Sequence, residues 1–360
     1  MSSNYIVDLD EEIRTTILKY IDTQYRSNEP LFESARREML SDNATSPIFR
    51  EPLYEIVKRY PNATSDLTDI VVDLIRSNVE ELGERTEILI RDLISKRFRA
   101  GQPFSHQEQA LRTTITEKKH LVVTTGTGSG KTYCFLLPLL TNLIIEALGP
   151  KNAANGRWDA KDVPFGEAWW RNTSKPFLPH RRSIRKAAVR GMMIYPLNAL
   201  VQDQIEGLRY ILDSPEMEAL YEEALGNDRF FFGQYNGSTP LSGQSTGSSE
   251  KDQDRRRKAR EFLNKKDEEW ESLSEEEKRE NYRDVPRNDA SEQLLRWDMQ
   301  EVPPDILITN FTMLSIMLVR EIDQKIFDKT REWLEEDPEN NVFYLILDEL
   351  HSYRGTGGTE

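Results

Sequence analysis

From residue 1 to about 100 the apolar positions recur every three to four residues. Ile13, Ile17, Leu18 and Ile21 follow an acidic start at Asp10, Glu11 and Glu12, a spacing that predicts a helix. Leu67, Ile70, Val71 and Leu74 follow Thr64, Ser65 and Asp66, residue types that cap a helix N-terminus. A third series, Ile88, Leu89, Ile90, Leu93 and Ile94, runs on to Phe98 and stops at Gly101 and Pro103. These periods predict an all-α accessory domain over 1–100. Beyond Pro103 short apolar runs alternate with longer amphipathic ones, which predicts an α/β fold with a parallel sheet and flanking helices over 101–360. Strands are expected at 120–125, 191–195, 229–235, 305–309 and 342–347, and helices at 131–148, 198–212 and 311–319. Ligands of such sheets bind beyond the carboxyl ends of the strands.

Two stretches interrupt the alternation. Residues 149–189 are rich in Pro, Trp and basic side chains, and 241–302 open on LSGQSTGSSEKDQD before becoming densely charged. A charge run of that kind predicts a solvated helix or a mobile loop. The formal net charge of -14 argues against a generally basic nucleic-acid binder. Even so, 171–190 hold seven basic residues and no acidic one, close to Trp158, Phe165, Trp169 and Trp170. Cations beside aromatics suit a nucleic-acid strand, while the same residues would equally serve to pack the insertion onto its domain. With Cys134 as the only cysteine, a disulfide or cysteine metal site is excluded, and His106, His120, His180 and His351 lack metal-ligand spacing. The N-terminus is acidic and weakly apolar and no run of 18 apolar residues occurs. A soluble, cytoplasmic protein with no membrane contact is therefore expected.

Candidate chemistry concentrates in three places. Residues 124–132 read TTGTGSGKT between the apolar runs 121–123 and 135–140. Gly126, Gly128 and Gly130 allow the backbone to curl until its N–H groups face a phosphate. Thr125, Thr127 and Ser129 complete this loop, Lys131 brings an ammonium to the β- and γ-phosphates, and Thr132 offers a hydroxyl to Mg²⁺. ATP with Mg²⁺ is the expected cofactor. Asp348 and Glu349 follow the aliphatic run Leu345-Ile346-Leu347. Asp348 suits Mg²⁺, Glu349 suits activation of the attacking water, and His351 lies where it could sense the γ-phosphate. Upstream, Gln107 carries both a donor and an acceptor for an adenine edge, with Phe104 as an apolar contact.

Together with Tyr195-Pro196-Leu197-Asn198-Ala199-Leu200-Val201-Gln202-Asp203-Gln204 and Ile308-Thr309-Asn310-Phe311-Thr312-Met313-Leu314, these motifs resemble the superfamily 2 DEAD/DEAH-box-like helicases. The branch they are most similar to is the MrfA-related one, which includes the large motors of the DISARM and Druantia antiphage systems, where the acidic motif is followed by a run like Tyr353-Arg354-Gly355. The resemblance spans about 103–360 and implies a RecA-like P-loop lobe. It further implies that Pro196, Asn198, Gln204, Gly237, Ser238, Thr309 and Asn310 hold the phosphate backbone of DNA, either a single strand or a duplex with a single-stranded part. Pro196 and Asn198 would also serve to cap a helix. Such motors use two RecA-like lobes, and the second is expected elsewhere in a longer chain or on a partner subunit, so that the isolated chain hydrolyses ATP poorly. Other defence-system proteins are further expected partners. The leading expectation is an ATP-dependent DNA helicase or translocase lobe in phage defence or DNA repair. The alternatives are a nucleotide-dependent binding module that does not unwind, and, less compatible with the backbone-contact segments, another P-loop enzyme such as a kinase.

Overall fold

The computed structural model describes residues 4–25, 27, 29–41, 59–98, 101–126, 128–149, 168–174, 177, 179–180, 185–196, 198–241 and 249–353. The chain divides into two compact units, Met1–Arg59 and Tyr60–Glu360.

The first unit holds α1 (Asn4–Gln24) and α2 (Pro30–Ser41). Asp22 of α1 pairs with Arg36 and Arg37 of α2 at 2.8 and 2.7 Å. Leu40 is buried, whereas Tyr20, Leu31 and Phe32 are exposed.

The second unit begins with α3 (Leu67–Arg76), α4 (Glu84–Arg97), α5 (Ser105–Ile115) and α6 (Lys131–Leu148). Asp66 caps α3 by accepting from Thr68 N at 2.9 Å, as its sequence suggested. Then follow β1 (Gly191–Tyr195), α7 (Asn198–Leu212), α8 (Pro215–Glu223), β2 (Phe232–Tyr235), α9 (Glu250–Glu271), α10 (Glu275–Asn281), β3 (Glu292–Gln293), α11 (Arg296–Glu301), β4 (Ile306–Asn310), α12 (Phe311–Val319), α13 (Glu321–Glu336) and β5 (Tyr344–Leu347). The five strands form one all-parallel sheet in the order β3-β2-β4-β1-β5. This is an α/β fold of RecA-like type, as expected from the alternation of elements.

Alternate residues of the strands feed two cores, because side chains along a strand point to opposite faces. Met193, Tyr195, Ile306, Ile308 and Ile346 join a large cluster with α3 to α8. Met192, Ile194 and Leu307 join Met299, Met313, Met317 and Ile326 from α11 to α13 on the other face. Among the described residues α6 is long and apolar enough to cross a membrane. Here it is a core helix that buries Leu137, Leu139, Leu140, Leu143 and Ile144.

One expectation fails. No strand forms over 120–125: among the described residues no neighbour offers these peptide groups a ladder, and Leu121 and Val122 stay exposed. The charge run does form solvated helix, in the second half of α9 and in α10, which buries no residue, and the rest of 241–302 adds β3 and buries Ala259, Leu263, Leu295 and Trp297 in a third cluster with Trp169. The charge run concealed this, since only a few apolar positions on α9 make the contact.

The basic track is also corrected. Arg190 is fully buried and pairs with Glu146 at 2.6 Å and Asp305 at 3.2 Å, while Arg185 pairs with Asp228 at 2.8 Å and Asp305 at 2.9 Å. Burial opposes the charge on Arg185, but Asp228, Asp305 and Glu146 outweigh it and raise its pKa. Burial would likewise raise Glu146, yet Arg190 holds it low. Lys186 reaches Glu336 at 2.6 Å, and Arg171 reaches Asp267 at 2.7 Å. Arg185 and Arg190 are thus enclosed as fasteners of the fold, whereas Lys186 and Arg171 make partly exposed surface pairs. Trp169 packs against Phe177, while Trp158, Phe165, Lys175, Arg181 and Arg182 lie outside the described residues.

Candidate nucleotide and nucleic-acid site

Strand register gathers the motifs. Tyr195 lies opposite Asn310, Tyr235 opposite Thr309, and Ile194 opposite Leu347. Pro196, Asn236 and Asp348, the residues that follow these strand ends, therefore leave the sheet at one edge, the carboxyl edge where parallel sheets bind ligands. Helix α6 runs between the two edges. Its Glu146 pairs with Arg190 just before β1, and Lys131 begins the same helix fifteen residues earlier, ~22 Å away along the axis. The start of α6, with Lys131, therefore lies well away from the amino-terminal end of β1.

The phosphate loop is shaped by two glycines in the left-handed region, Gly128 at φ 74 and Gly130 at φ 71, which side-chain-bearing residues rarely adopt. Gly130 is the N-cap of α6 and has no side-chain cap bond, and of the first N–H groups of this 18-residue helix Tyr133 N donates to Gly130 O at 3.1 Å. Lys131 forms no ion pair among the described residues. Ser129 Oγ donates to Thr125 Oγ1 at 2.7 Å, and Thr127 lies outside the described residues. Ammonium, helix amides, the Thr132 hydroxyl and the Asp348 carboxylate are a hard donor set that fits a nucleotide with its Mg²⁺, which needs few protein ligands when phosphates supply the rest. No cluster of three or more His, Cys, Asp or Glu that could cage a metal occurs among the described residues.

Three side chains brace this loop. Gln107 is buried; its Oε1 accepts from Phe104 N at 2.9 Å and its Nε2 donates to Gly130 O at 3.0 Å. The amide expected to face adenine is therefore bonded at both ends within the chain. The His106 Nε2 lies 2.9 Å from Ser129 O. Tyr60, which no motif had singled out, accepts from Gly126 N at 2.8 Å through its hydroxyl. Its ring packs on Phe104 and His106, with centroids 5.7 and 5.2 Å away. A bridge between Asn62 and Phe104 and the bond from Ser105 N to Pro61 O hold it there. Tyr60 is 66 residues from Gly126, which is why local pattern could not reveal it.

Beyond β5, Asp348 N donates to Ile194 O at 3.2 Å, and Asp348 Oδ1 accepts from Glu349 N at 3.0 Å. Glu349 adopts φ 50 and ψ 47, a strained conformation for a residue with a side chain. Its Oε2 lies 3.2 Å from Nδ1 of His351, which joins the two residues expected to act on and to sense the γ-phosphate. Burial, and then the Asp348 charge, push Tyr353 up to about 12. The Tyr353 hydroxyl donates to Ile194 O at 3.1 Å.

The nucleic-acid candidates separate into two groups. Gly237 and Ser238 are exposed, Pro196, Gln204 and Asn310 are half-buried, and Asn310 Oδ1 caps α12 by accepting from Met313 N at 2.7 Å. Asn198 opens α7, but its side chain lies outside the described residues. Thr309 departs from expectation: it is fully buried and its hydroxyl donates to Tyr235 O at 2.6 Å, so its side chain ties β4 to β2 and does not face a ligand.

Residues 104–230 match the DEAD/DEAH box helicase family. The chain is 31% identical over 402 aligned positions, covering 99% of its length, to Druantia protein DruE of Escherichia coli (strain UMEA 4076-1). The chain spans 19% of that relative's length. No solved structure matches it.

Proposed function

We propose that this chain is the ATP-binding lobe of a nucleic-acid motor serving antiphage defence. What supports the reading is that the Asp348-Glu349 pair and the exposed Gly237-Ser238 loop leave one edge of a parallel sheet, while a left-handed glycine loop opens α6 with Lys131 unpaired among the described residues. In this reading Gly126 to Thr132 hold the nucleotide phosphates, and Thr132 with Asp348 hold Mg²⁺, which neutralises phosphate charge when bound. Glu349 takes the proton of the attacking water, and His351, bonded to it, relays the state of that carboxylate. Phe104 gives the base an apolar contact, and Gln107 serves the same end by fixing Gly130 and, with rearrangement, the adenine edge. Pro196, Asn198, Gln204, Gly237, Ser238 and Asn310 hold DNA by its backbone, without reading its sequence.

A second RecA-like lobe, in a longer chain or on a partner, completes the ATP site. The protein works in the cytoplasm. The test is DNA-stimulated ATP hydrolysis by the protein with its second lobe. Lys131→Ala and Glu349→Gln are expected to abolish it, and unchanged turnover in both variants would sink the site assignment. ATP binding with no DNA-dependent turnover in the wild type would favour a nucleotide-dependent binding module.

A further inference from the structure

Arg296 at the start of α11 is an unusual buried cation. It is only 7% exposed, its Nε has no hydrogen-bond partner, and no carboxylate pairs with it among the described residues. Burying an unpaired charge is costly unless its hydrogen bonds compensate. The compensation comes from one loop. Arg296 Nη2 donates to the carbonyl oxygens of Asn236 and, at 3.3 Å, Gly237. Its backbone N donates to Pro240 O at 3.2 Å, and its guanidinium lies over the Tyr235 ring at 5.5 Å. Asn236 is itself fully buried, and its Oδ1 accepts from Ser238 N at 3.0 Å and from Ser238 Oγ at 2.7 Å.

The direction of these bonds sets what the loop shows to solvent. In a trans peptide the C=O and N–H point opposite ways, so the Asn236 carbonyl, held by Arg296 and by Thr239 N at 3.2 Å, turns the Gly237 N–H away from both. Gly237 is exposed, a side chain there would meet nothing within 4 Å, and its N–H has no partner among the described residues. A positive charge beneath a donor facing open space favours an anion above it.

We propose that Arg296, supplied by the 241–302 insertion, is a positioning residue that holds the Tyr235–Pro240 loop with the Gly237 N–H presented to a backbone phosphate of DNA. The inference rests on the nucleic-acid reading above. It gives the insertion a role: the segment folds back to set the geometry of a binding loop that precedes it in the chain.

The test measures binding of a fluorescent oligothymidine to the full chain across a salt series, with melting temperature and binding of a fluorescent ATP analogue as controls. Arg296→Met is expected to weaken DNA binding about tenfold or more, in line with hydrogen bonds to a charged group, while ATP-analogue binding and the salt slope stay as in the wild type. Wild-type DNA affinity in a folded Arg296→Met chain overturns the proposal. So does a shallower slope, by about 0.7 for one lost contact to a single strand, because it would make Arg296 itself a phosphate ligand. Should Arg296→Met fail to fold, Arg296→Lys decides alone. A lysine point charge cannot span two carbonyls as a guanidinium does, so weaker DNA binding supports the proposal and wild-type binding overturns it. A wild-type chain that binds the ATP analogue but no DNA would overturn the nucleic-acid reading together with this one.

Discussion

At the amino-terminal ends of β1, β2 and β4, charged side chains are buried and fully matched. Arg190 meets Glu146 and Asp305, Arg185 meets Asp228 and Asp305, and Asp305 Oδ2 also accepts from Phe231 N at 2.8 Å. At the opposite edge Glu349 is held at φ 50 and Gly237 and Ser238 are exposed, and at the start of α6 Lys131 has no counter-ion among the described residues. The same residue types serve different ends on the two edges. Charges satisfied within the chain fasten strands together, whereas charges left unmatched remain available to a ligand. Unmatched charge and strained backbone are tolerated at one edge because the other edge and the two cores hold the sheet.

Breaking the matched edge should have the largest effect. Arg190→Ala takes from Glu146 its near partner and from Asp305 one of its two arginines, leaving only Arg185, and removing one member of such a buried set costs about 3–5 kcal/mol. Thermal unfolding should show a large loss of melting temperature, and a near-normal melt would mean that this edge does not fasten the sheet. At the unmatched edge the loss should fall on chemistry alone. Lys131→Ala and Glu349→Gln should each cut DNA-stimulated hydrolysis by about 10²-fold or more with little change in melting temperature, and a comparable fall in stability would erase the contrast between the edges.

A smaller effect tests charge in the third cluster. Burial pushes Asp298 up to about 7, against the backbone N–H groups of His180 and Leu295, and pushes Asp213 up to about 6. Both lie above the unfolded carboxylate value of about 3.9. Their stabilising contribution is therefore complete below pH 4 and is lost as pH rises through 6 to 7. Asp298→Asn should match the wild type near pH 4 and melt higher at pH 8; a variant that is less stable at pH 8 would refute the raised pKa. The smallest expected effect is that of Tyr60→Phe. Removing one hydrogen bond to Gly126 costs about 0.5–1.5 kcal/mol, read as two- to tenfold weaker binding of an ATP analogue at an unchanged melting temperature. Equal affinity would show that the Tyr60 hydroxyl does not shape the loop.

Legibility followed the range of the interactions. Helices α6, α7 and α12 and strand β1 stand where periodicity put them, because each is amphipathic or buried by its own residues. The strand expected at 120–125 was legible as an apolar run only, since a ladder depends on a neighbour that the run itself does not specify. Strand β3 escaped notice because two residues carry too little pattern. The seven cations of 171–190 looked like one track, yet Arg171, Arg185, Lys186 and Arg190 pair with Asp267, Asp228, Asp305, Glu336 and Glu146, which lie 43 to 150 positions away and never in the same local window.

The sequence by itself determined the phosphate loop, the acidic pair and the alternating α/β plan, since glycine freedom, helix capping and apolar period act within a few residues. Only the tertiary structure decided which charges are available, because availability depends on what the fold brings within hydrogen-bond reach. It turned Arg185 and Arg190 into fasteners and buried Thr309. It also brought Tyr60 to Gly126 and Arg296 to the Asn236 loop, contacts that link residues about sixty positions apart.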